Sequence, residues 1–449
     1  MKTKYLTIFF ILLIGGHSFA QKFDFDGMRY RGKIQKEYSL AENGSLIMKN
    51  IHGDIEIVGE ARNNILVTEK FSINAYSESS AEKIYRSQRA KYILKGKTLL
   101  IEGASSSRRY QSNFTVQVPS KFNMDINTCG GDIVAETING TVELHTSGGD
   151  IDVVEIIGKL DLHTSSGDIN ICKSRKDITA VTSGGDISLN RIVGRLYAKT
   201  SGGDITVEDM EGDGEVRTSG GDIYVSRIKG NRLDATTSGG DIGADYINTN
   251  IKLNTSGGDI NIGISKLNVR LHTSGGDIDI NEVGGNLDAS TSGGDIYVKT
   301  VIGFCVLHTS GGDIEIKTAR SKVKTTASGG DIILSSVYGA VHAQTSGGDI
   351  ELQKVIDKSI KDHSINMKSS GGDIRLYIPD NIEADVFAQI TIHNKWDNNQ
   401  IRSDFPLNIN KERRGSKLII TGEGRINGGG NDITMKTSGG DIKINRILQ

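Results

Sequence analysis

Proline is almost missing from this 449-residue chain, and its three copies, Pro119, Pro379 and Pro406, leave the long stretch between 120 and 378 without one. Proline cannot donate to a strand ladder, so a proline-free interval of that length is open to uninterrupted strand pairing. Cysteine is equally sparse: Cys129, Cys172 and Cys305 are too few and too unevenly placed for a disulfide framework, and free, partly buried thiols are expected. Aromatic residues make up 6% of the chain, with Trp396 the single tryptophan, and Tyr224, Tyr246, Tyr297 and Tyr338 form no stripe on which sugars could stack. There is no basic excess, since the formal net charge is −2, which argues against a nucleic-acid partner.

Long apolar runs are confined to the first twenty residues. Lys2 and Lys4, the run Leu6 to Ile14, and Ser18-Phe19-Ala20 read as the n-region, h-region and cleavage site of a secretory signal. The run is too short to span a bilayer, and no second one follows, so the expectation is an exported chain with no transmembrane segment after signal removal. Its destination is then periplasmic, cell-surface or secreted.

Glycine is abundant, at 56 residues, and it is ordered. Asp132 begins a column of aspartates that returns at 150, 168, 186, 204, 222, 241, 259, 277, 295, 313, 331 and 349; eleven of the twelve intervals are 18 residues and one is 19. Nearly every member sits in Thr-Ser-Gly-Gly-Asp-Ile. A fixed short period marks a repeat architecture in which each unit is one coil stacked on the next.

Counting from each aspartate, apolar residues recur one and three places on, near six, then at ten and twelve. From Asp186 these are Ile187, Leu189, Ile192, Leu196 and Ala198; from Asp331 they are Ile332, Leu334, Val337, Val341 and Ala343. Period-two alternation is the strand signal and each phase break marks a corner. Gly-Gly supplies one corner, through positive φ or close backbone approach, and a frequent glycine eight residues after the aspartate, as at Gly158 and Gly194, suggests another. The threonine four places before each aspartate has inward parity and lines the core edge. One such coil cannot bury enough surface to fold alone, so parallel ladders between coils must hold the array. The fold class expected is all-β, a parallel β-solenoid of 18-residue coils with right-handed crossovers favoured. Thirteen coils at about 4.8 Å each would form a rod of roughly 60 Å.

Solenoid ends need covering. The segmentation expected is a signal peptide over 1–20, a β-rich N-terminal cap with one helix over 21–128, the array over 129–378, and a C-terminal cap with a closing coil over 379–449. Strands are expected over Ser45–Lys49, Asp54–Val58, Ile65–Phe71, Thr98–Glu102 and Phe114–Val118, and the helix near Ser80–Tyr92. In the last segment Trp396, an Asn-rich turn and Gly428–Gly430 precede a return to the pattern at Ile433, Met435, Thr437 and Asp441.

The Gly-Asp-Ile coils, the helix-bearing flank and the closing run Arg402-Ser403-Asp404-Phe405-Pro406, Gly424-Arg425-Ile426-Asn427-Gly428-Gly429-Gly430 and Ser438-Gly439-Gly440-Asp441-Ile442 resemble the bacterial putative-adhesin family of domains of unknown function. The resemblance runs from about residue 36 to the end. It implies an exported β-solenoid, and brings neither a ligand nor catalytic residues. This chain departs from the family in the length and regularity of its array.

The aspartate column is the sharpest candidate site. Carboxylates stacked about 4.8 Å apart repel by roughly 0.9 kcal/mol per pair even in bulk water. The offset expected is a turn brace, each carboxylate accepting hydrogen bonds from turn amides and a nearby serine hydroxyl. The alternative is a Ca²⁺ ladder on Asp150, Asp168, Asp186, Asp204 and Asp222, as in a Ca-dependent β-roll-like module. Calcium β-rolls repeat every nine residues. Nine places after these aspartates stand residues such as Lys159, Asp177 and Arg195, so half that ligand set is missing. His145, His163, His272 and His308 have outward parity and read as solvated surface side chains.

A polysaccharide-active β-helix enzyme is the remaining alternative. Constant intervals leave no excursion to wall a cleft except 350–373, where Asp357, Lys358, Lys361, Asp362 and His363 read as a plain surface loop. No catalytic residue, cofactor or metal is therefore assigned. The functional expectation is a non-enzymatic exported scaffold or adhesin, binding a surface ligand (glycan, matrix or envelope protein) through a repetitive rigid face.

Overall fold

A computed structural model describes residues 23–104, 109–393 and 398–447. The segment expected to be a signal peptide, Trp396 and the last two residues lie outside those described.

The alternating pattern folds as its parity demands. Ile187, Leu189, Ile192, Leu196 and Ala198 are buried, as are their counterparts Ile332, Leu334, Val337, Val341 and Ala343 one array-half later. Strands that follow each aspartate pair in parallel with the equivalent strand of the next coil, Ile151 opposite Ile169, Ile169 opposite Ile187, Ile187 opposite Ile205. A second row does the same: Val142–His145 on Leu160–His163 on Ile178–Val181 on Leu196–Lys199. The 19-residue interval is absorbed between Lys229 and Arg232, where the register shifts and the columns then resume. The result is an all-β parallel solenoid in which like positions stack on like, around one continuous core running from Leu40 to Ile444.

Both ends are closed by the same device, a coil inserted out of sequence order. Gly44–Ile51 lies between Thr98–Glu102 and Phe122–Thr128, and Ile55–Glu60 lies between Tyr110–Pro119 and Ile133–Glu136. At the far end Asn431–Thr437 lies between Ile365–Lys368 and Ala384–Ile392, and Ile442–Ile447 lies between Ile374–Pro379 and Ile401–Ser403. Beyond these coils the pairing turns antiparallel: Tyr110–Pro119 to Ile65–Ile73 to Tyr30–Tyr38, and Ala384–Ile392 to Lys417–Ile426 to Asn408–Arg414. A change of pairing sense stops the winding, because another parallel coil has no matching edge to join.

The helix runs Glu78–Gln88, with the Ser77 hydroxyl accepting from the Ser80 amide as its N-cap. It buries Ala81 and Tyr85 against Phe23, Phe71 and Tyr110, an aromatic cluster separate from the main core. It ends before Tyr92, which belongs instead to the strand Lys91–Lys95. Glu69 is fully buried beside this cluster, where it accepts hydrogen bonds from the hydroxyls of Tyr110 and Tyr92.

Candidate functional site

The Gly-Gly-Asp corner is held by an aspartate and a threonine side chain, each of which makes one bond to the neighbouring coil. The amide of Asp150 donates to Oδ1 of Asp132 at 2.9 Å, that of Asp168 to Asp150 at 2.8 Å, and that of Asp186 to Asp168 at 2.8 Å. The chain of bonds continues through Asp204 and Asp222 to Asp349, Asp373 and Asp441, ending on the amide of Gln400. The expected brace within each turn is thus corrected to one between turns. The Asp carbonyl takes part in the parallel ladder, with Ile133 donating to Asp150 O, while the Asp amide is left over at the corner and is met by the preceding coil's carboxylate. No serine hydroxyl contacts these carboxylates among the described residues.

Threonine supplies the second bond. Thr164 Oγ1 donates to Gly149 O at 2.9 Å and accepts from the Gly167 amide at 3.3 Å, a pattern repeated by Thr200, Thr218, Thr237 and their successors. These threonines are buried. One coil lacks the hydroxyl, because Ala327 stands where the others have threonine or, at Ser369, serine.

The glycine requirement is one of space. At the second glycine of each pair a Cβ would fall 2.0 to 2.2 Å from the carbonyl oxygen of the coil before, as at Gly149 and Gly185. At the first there is more room: at Gly184 the nearest atoms are 3.6 Å away, closing to 2.6 Å at Gly439. Ser166 occupies that roomier position in its own coil.

A different corner makes a groove. Five residues after the aspartate, seven successive coils place a non-glycine residue in the left-handed region: Thr137, Glu155, Lys173, Arg191, Asp209, Arg227 and Tyr246, with φ between 53° and 60°. The reversal sends the next residue inward and the following one out. Two outward rows therefore flank an apolar floor that includes Ile138, Ile192, Met210 and Ile247. The groove runs along the axis to Lys266, with a volume of about 1240 Å³. It runs one coil past the positive-φ row, which ends at Tyr246.

Its walls are charged and partly paired. Lys173 binds Glu155 at 2.9 Å, and Arg227 binds Asp209 at 2.6 Å and Glu208 at 3.1 Å. The guanidinium of Arg227 holds the Asp209 carboxyl below its usual range. Arg175, Arg191, Lys229 and Lys266 form no ion pair among the described residues, and Glu211 is the one wall carboxylate left without one. Ile157 and Val193 are 46% and 42% exposed on the same wall as Arg175.

The 350–373 insertion differs from its reading as a plain surface loop. Asp357, Lys358, Lys361 and Asp362 stay at the surface, but His363 is buried, its amide donating to Asn431 Oδ1 at 3.0 Å and its Nδ1 lying 3.1 Å from Tyr338 O. Beneath it Lys354, which no sequence signal singled out, occupies a core position opposite Val337 and is fully buried. Its Nζ donates to Tyr338 O at 2.6 Å and to Gly339 O. Burial pulls its pKa down to about 7, against the opposing field of Asp362.

His145 and His163 stack in register, ring centroids 5.0 Å apart, with His163 Nε2 2.8 Å from Asp161 Oδ1. His272 and His308 lie on the same outward row further along. At the N-terminal end His52 and Cys129 line one polar hollow of about 320 Å³, where His52 Nε2 is 3.0 Å from Ala104 O. All three cysteines are free, with Cys129 exposed and Cys305 buried. Among the described residues no group of three or more His, Cys, Asp or Glu is arranged to hold a metal ion. Nor is any helix there long and apolar enough to cross a membrane.

Fold and corner together define a parallel β-solenoid with an axial aspartate ladder. The chain belongs to the Toastrack DUF4097 family, whose model matches residues 157–284, 212–321 and 273–445, together well over half the sequence. No curated protein matches the chain by sequence. Among solved structures it is similar to a putative adhesin from Bacteroides fragilis, at 16% identity and TM-score 0.33, over 51% of this chain and 95% of that one. It is also similar to a putative lipid binding protein from Parabacteroides distasonis, at 14% identity and TM-score 0.19, over 76% and 97% of the two chains. A putative adhesin from Parabacteroides merdae aligns at 10% identity and TM-score 0.21, over 74% and 97%.

Proposed function

We propose that this protein is an exported, non-enzymatic rod that acts in the cell envelope or at the cell surface as a scaffold or adhesive module. The observation that carries the reading is the axial groove, which offers the same outward positions on seven consecutive coils of a shaft locked by side-chain bonds at every Gly-Gly-Asp corner. Many weak contacts along such a face add to a useful avidity when the partner is itself repetitive. A stiff shaft also avoids the ordering cost that a flexible linker would add to each contact.

The aspartate column belongs to the shaft in this reading. Oδ1 of Asp150, Asp168, Asp186, Asp204 and Asp222 already accepts an amide, which competes with its use as a calcium ligand. Asp357 and Asp362, the carboxylates on which a polysaccharide-active enzyme would depend, each accept from an amide two residues on, at Ser359 and Ser364. They brace their own loop.

The test has two arms. Fractionation of producing cells, with protease shaving of intact ones, is expected to place the chain outside the cytoplasm. Purified protein on a surface is expected to retain whole cells, matrix proteins or glycans from an array. A cytoplasmic chain would overturn export, and no retention of any kind would overturn the adhesive role.

A further inference from the structure

We infer that the axial groove binds an acidic polysaccharide, a linear chain of uronate type, lying along the solenoid axis. The inference rests on the rod reading above and gives its ligand a chemical class.

Shape comes first. Seven coil spacings, from Asn139 to Lys266, at about 4.8 Å make a trough of roughly 34 Å, open along its length, which suits a chain polymer better than a compact small molecule. Charge comes second. The walls carry Lys173, Arg175, Arg191, Arg227, Lys229 and Lys266 against Glu155, Asp209 and Glu211, and internal ion pairs leave four cations facing one carboxylate. Those four are exposed and distributed along the trough, so they meet a ligand with repeated negative charge.

The chemistry of the remaining surface separates the anionic polymers. An extended acidic peptide gains much of its affinity by main-chain bonding to a free sheet edge. Here the flanking strands are already paired on both sides, Ile187–Val193 with Ile169–Arg175 and with Ile205–Glu211, so the groove offers no such edge. A neutral glycan would call for aromatic platforms, and Tyr246 is the only aromatic residue lining the trough. Sugar rings that alternate carboxylates with C–H faces match a wall on which Arg175 stands between Ile157 and Val193, with Arg191 on the opposite row.

The experiment titrates full-length protein with polygalacturonate, with its carboxyl-reduced neutral counterpart, and with poly-glutamate. Saturable binding to polygalacturonate that weakens with salt is expected, with the neutral polymer inert and poly-glutamate much weaker. The double variant Arg175→Glu, Arg191→Glu is expected to lose about tenfold or more in affinity, and the outward pair Lys252→Glu, Lys324→Glu on another face to lose none. Glu155 already sits in the same left-handed row as Arg191, so the backbone accepts the change, and an unchanged melting curve verifies folding. No saturable binding, equal binding of the neutral polymer, equal binding of poly-glutamate, or full binding by the double variant would each overturn the inference. If the wild-type protein still retains cells or another ligand while polygalacturonate fails, the rod reading stands and this ligand falls.

Discussion

The amide of Asp204 donates to the carboxylate of Asp186 across 2.8 Å, so each aspartate is at once the acceptor for the coil after it and the donor to the coil before. A row of like charges is stabilised by giving every carboxylate an amide. Replacing Asp186 by alanine removes the acceptor and orphans the Asp204 amide, a loss of about 1 kcal/mol at an exposed site. Asparagine keeps an acceptor oxygen and is expected to lose less. Chemical denaturation of the two variants checks the order. In the same assay, Ca²⁺ added to chelated protein is expected to leave Tm unchanged, and a large rise would favour calcium ligation over the brace.

The two glycines of one corner should respond in opposite ways. Gly185→Ala drives a methyl group into Gly167 O and is expected to destabilise by more than about 1 kcal/mol. Gly184→Ala meets nothing closer than 3.6 Å and is expected to be neutral or stabilising, by about 0.4–1 kcal/mol through the unfolded chain. Thermal unfolding of both separates close approach from flexibility as the reason for the pair.

Ala327 marks a missing bond that can be restored. Ala327→Thr places a hydroxyl between Gly312 O and the Gly330 amide, as Thr309 and Thr345 do in the coils on either side. A gain of about 0.5–1.5 kcal/mol is expected, read as a raised denaturation midpoint with unchanged slope.

Lys354 makes stability depend on pH. Its folded pKa, about 7, lies below the unfolded value near 10.4. Between those values the unfolded chain binds the extra proton, so stability rises with pH, by up to about 1.4 kcal/mol per unit. Below 7 the buried ammonium destabilises the fold to its full extent. The difference between wild type and Lys354→Met, measured by denaturation from pH 6 to 10, is expected to carry this slope.

Period and parity made the fold legible. An aspartate every 18 residues fixed the coil, and alternation at Ile187, Leu189, Leu196 and Ala198 fixed which side chains meet. The groove left no such mark. It depends on a left-handed residue, and Glu155, Lys173, Arg191 and Arg227 are not residue types that announce one, because the ladders on either side hold the backbone against its own preference. Lys354 was hidden for the opposite reason. Its neighbours Asp357 to His363 drew notice as charges in a loop, while the lysine beside them occupies a place whose stack-mates are apolar. Out-of-order insertion of the end coils depends on long-range pairing that the local pattern does not encode.

The central claim is that equivalent residues rise along one axis by a fixed step. Thr206, Asp279 and Glu351 occupy one outward column, linked rung by rung through the parallel register. Spin labels on cysteines at 206 and 279, and at 206 and 351, with the three native cysteines replaced, measure that step by pulsed dipolar spectroscopy. The account gives about 19 Å for the first pair and about 38 Å for the second, four and eight spacings of about 4.8 Å. Equal distances, or a second distance shorter than the first, would contradict it.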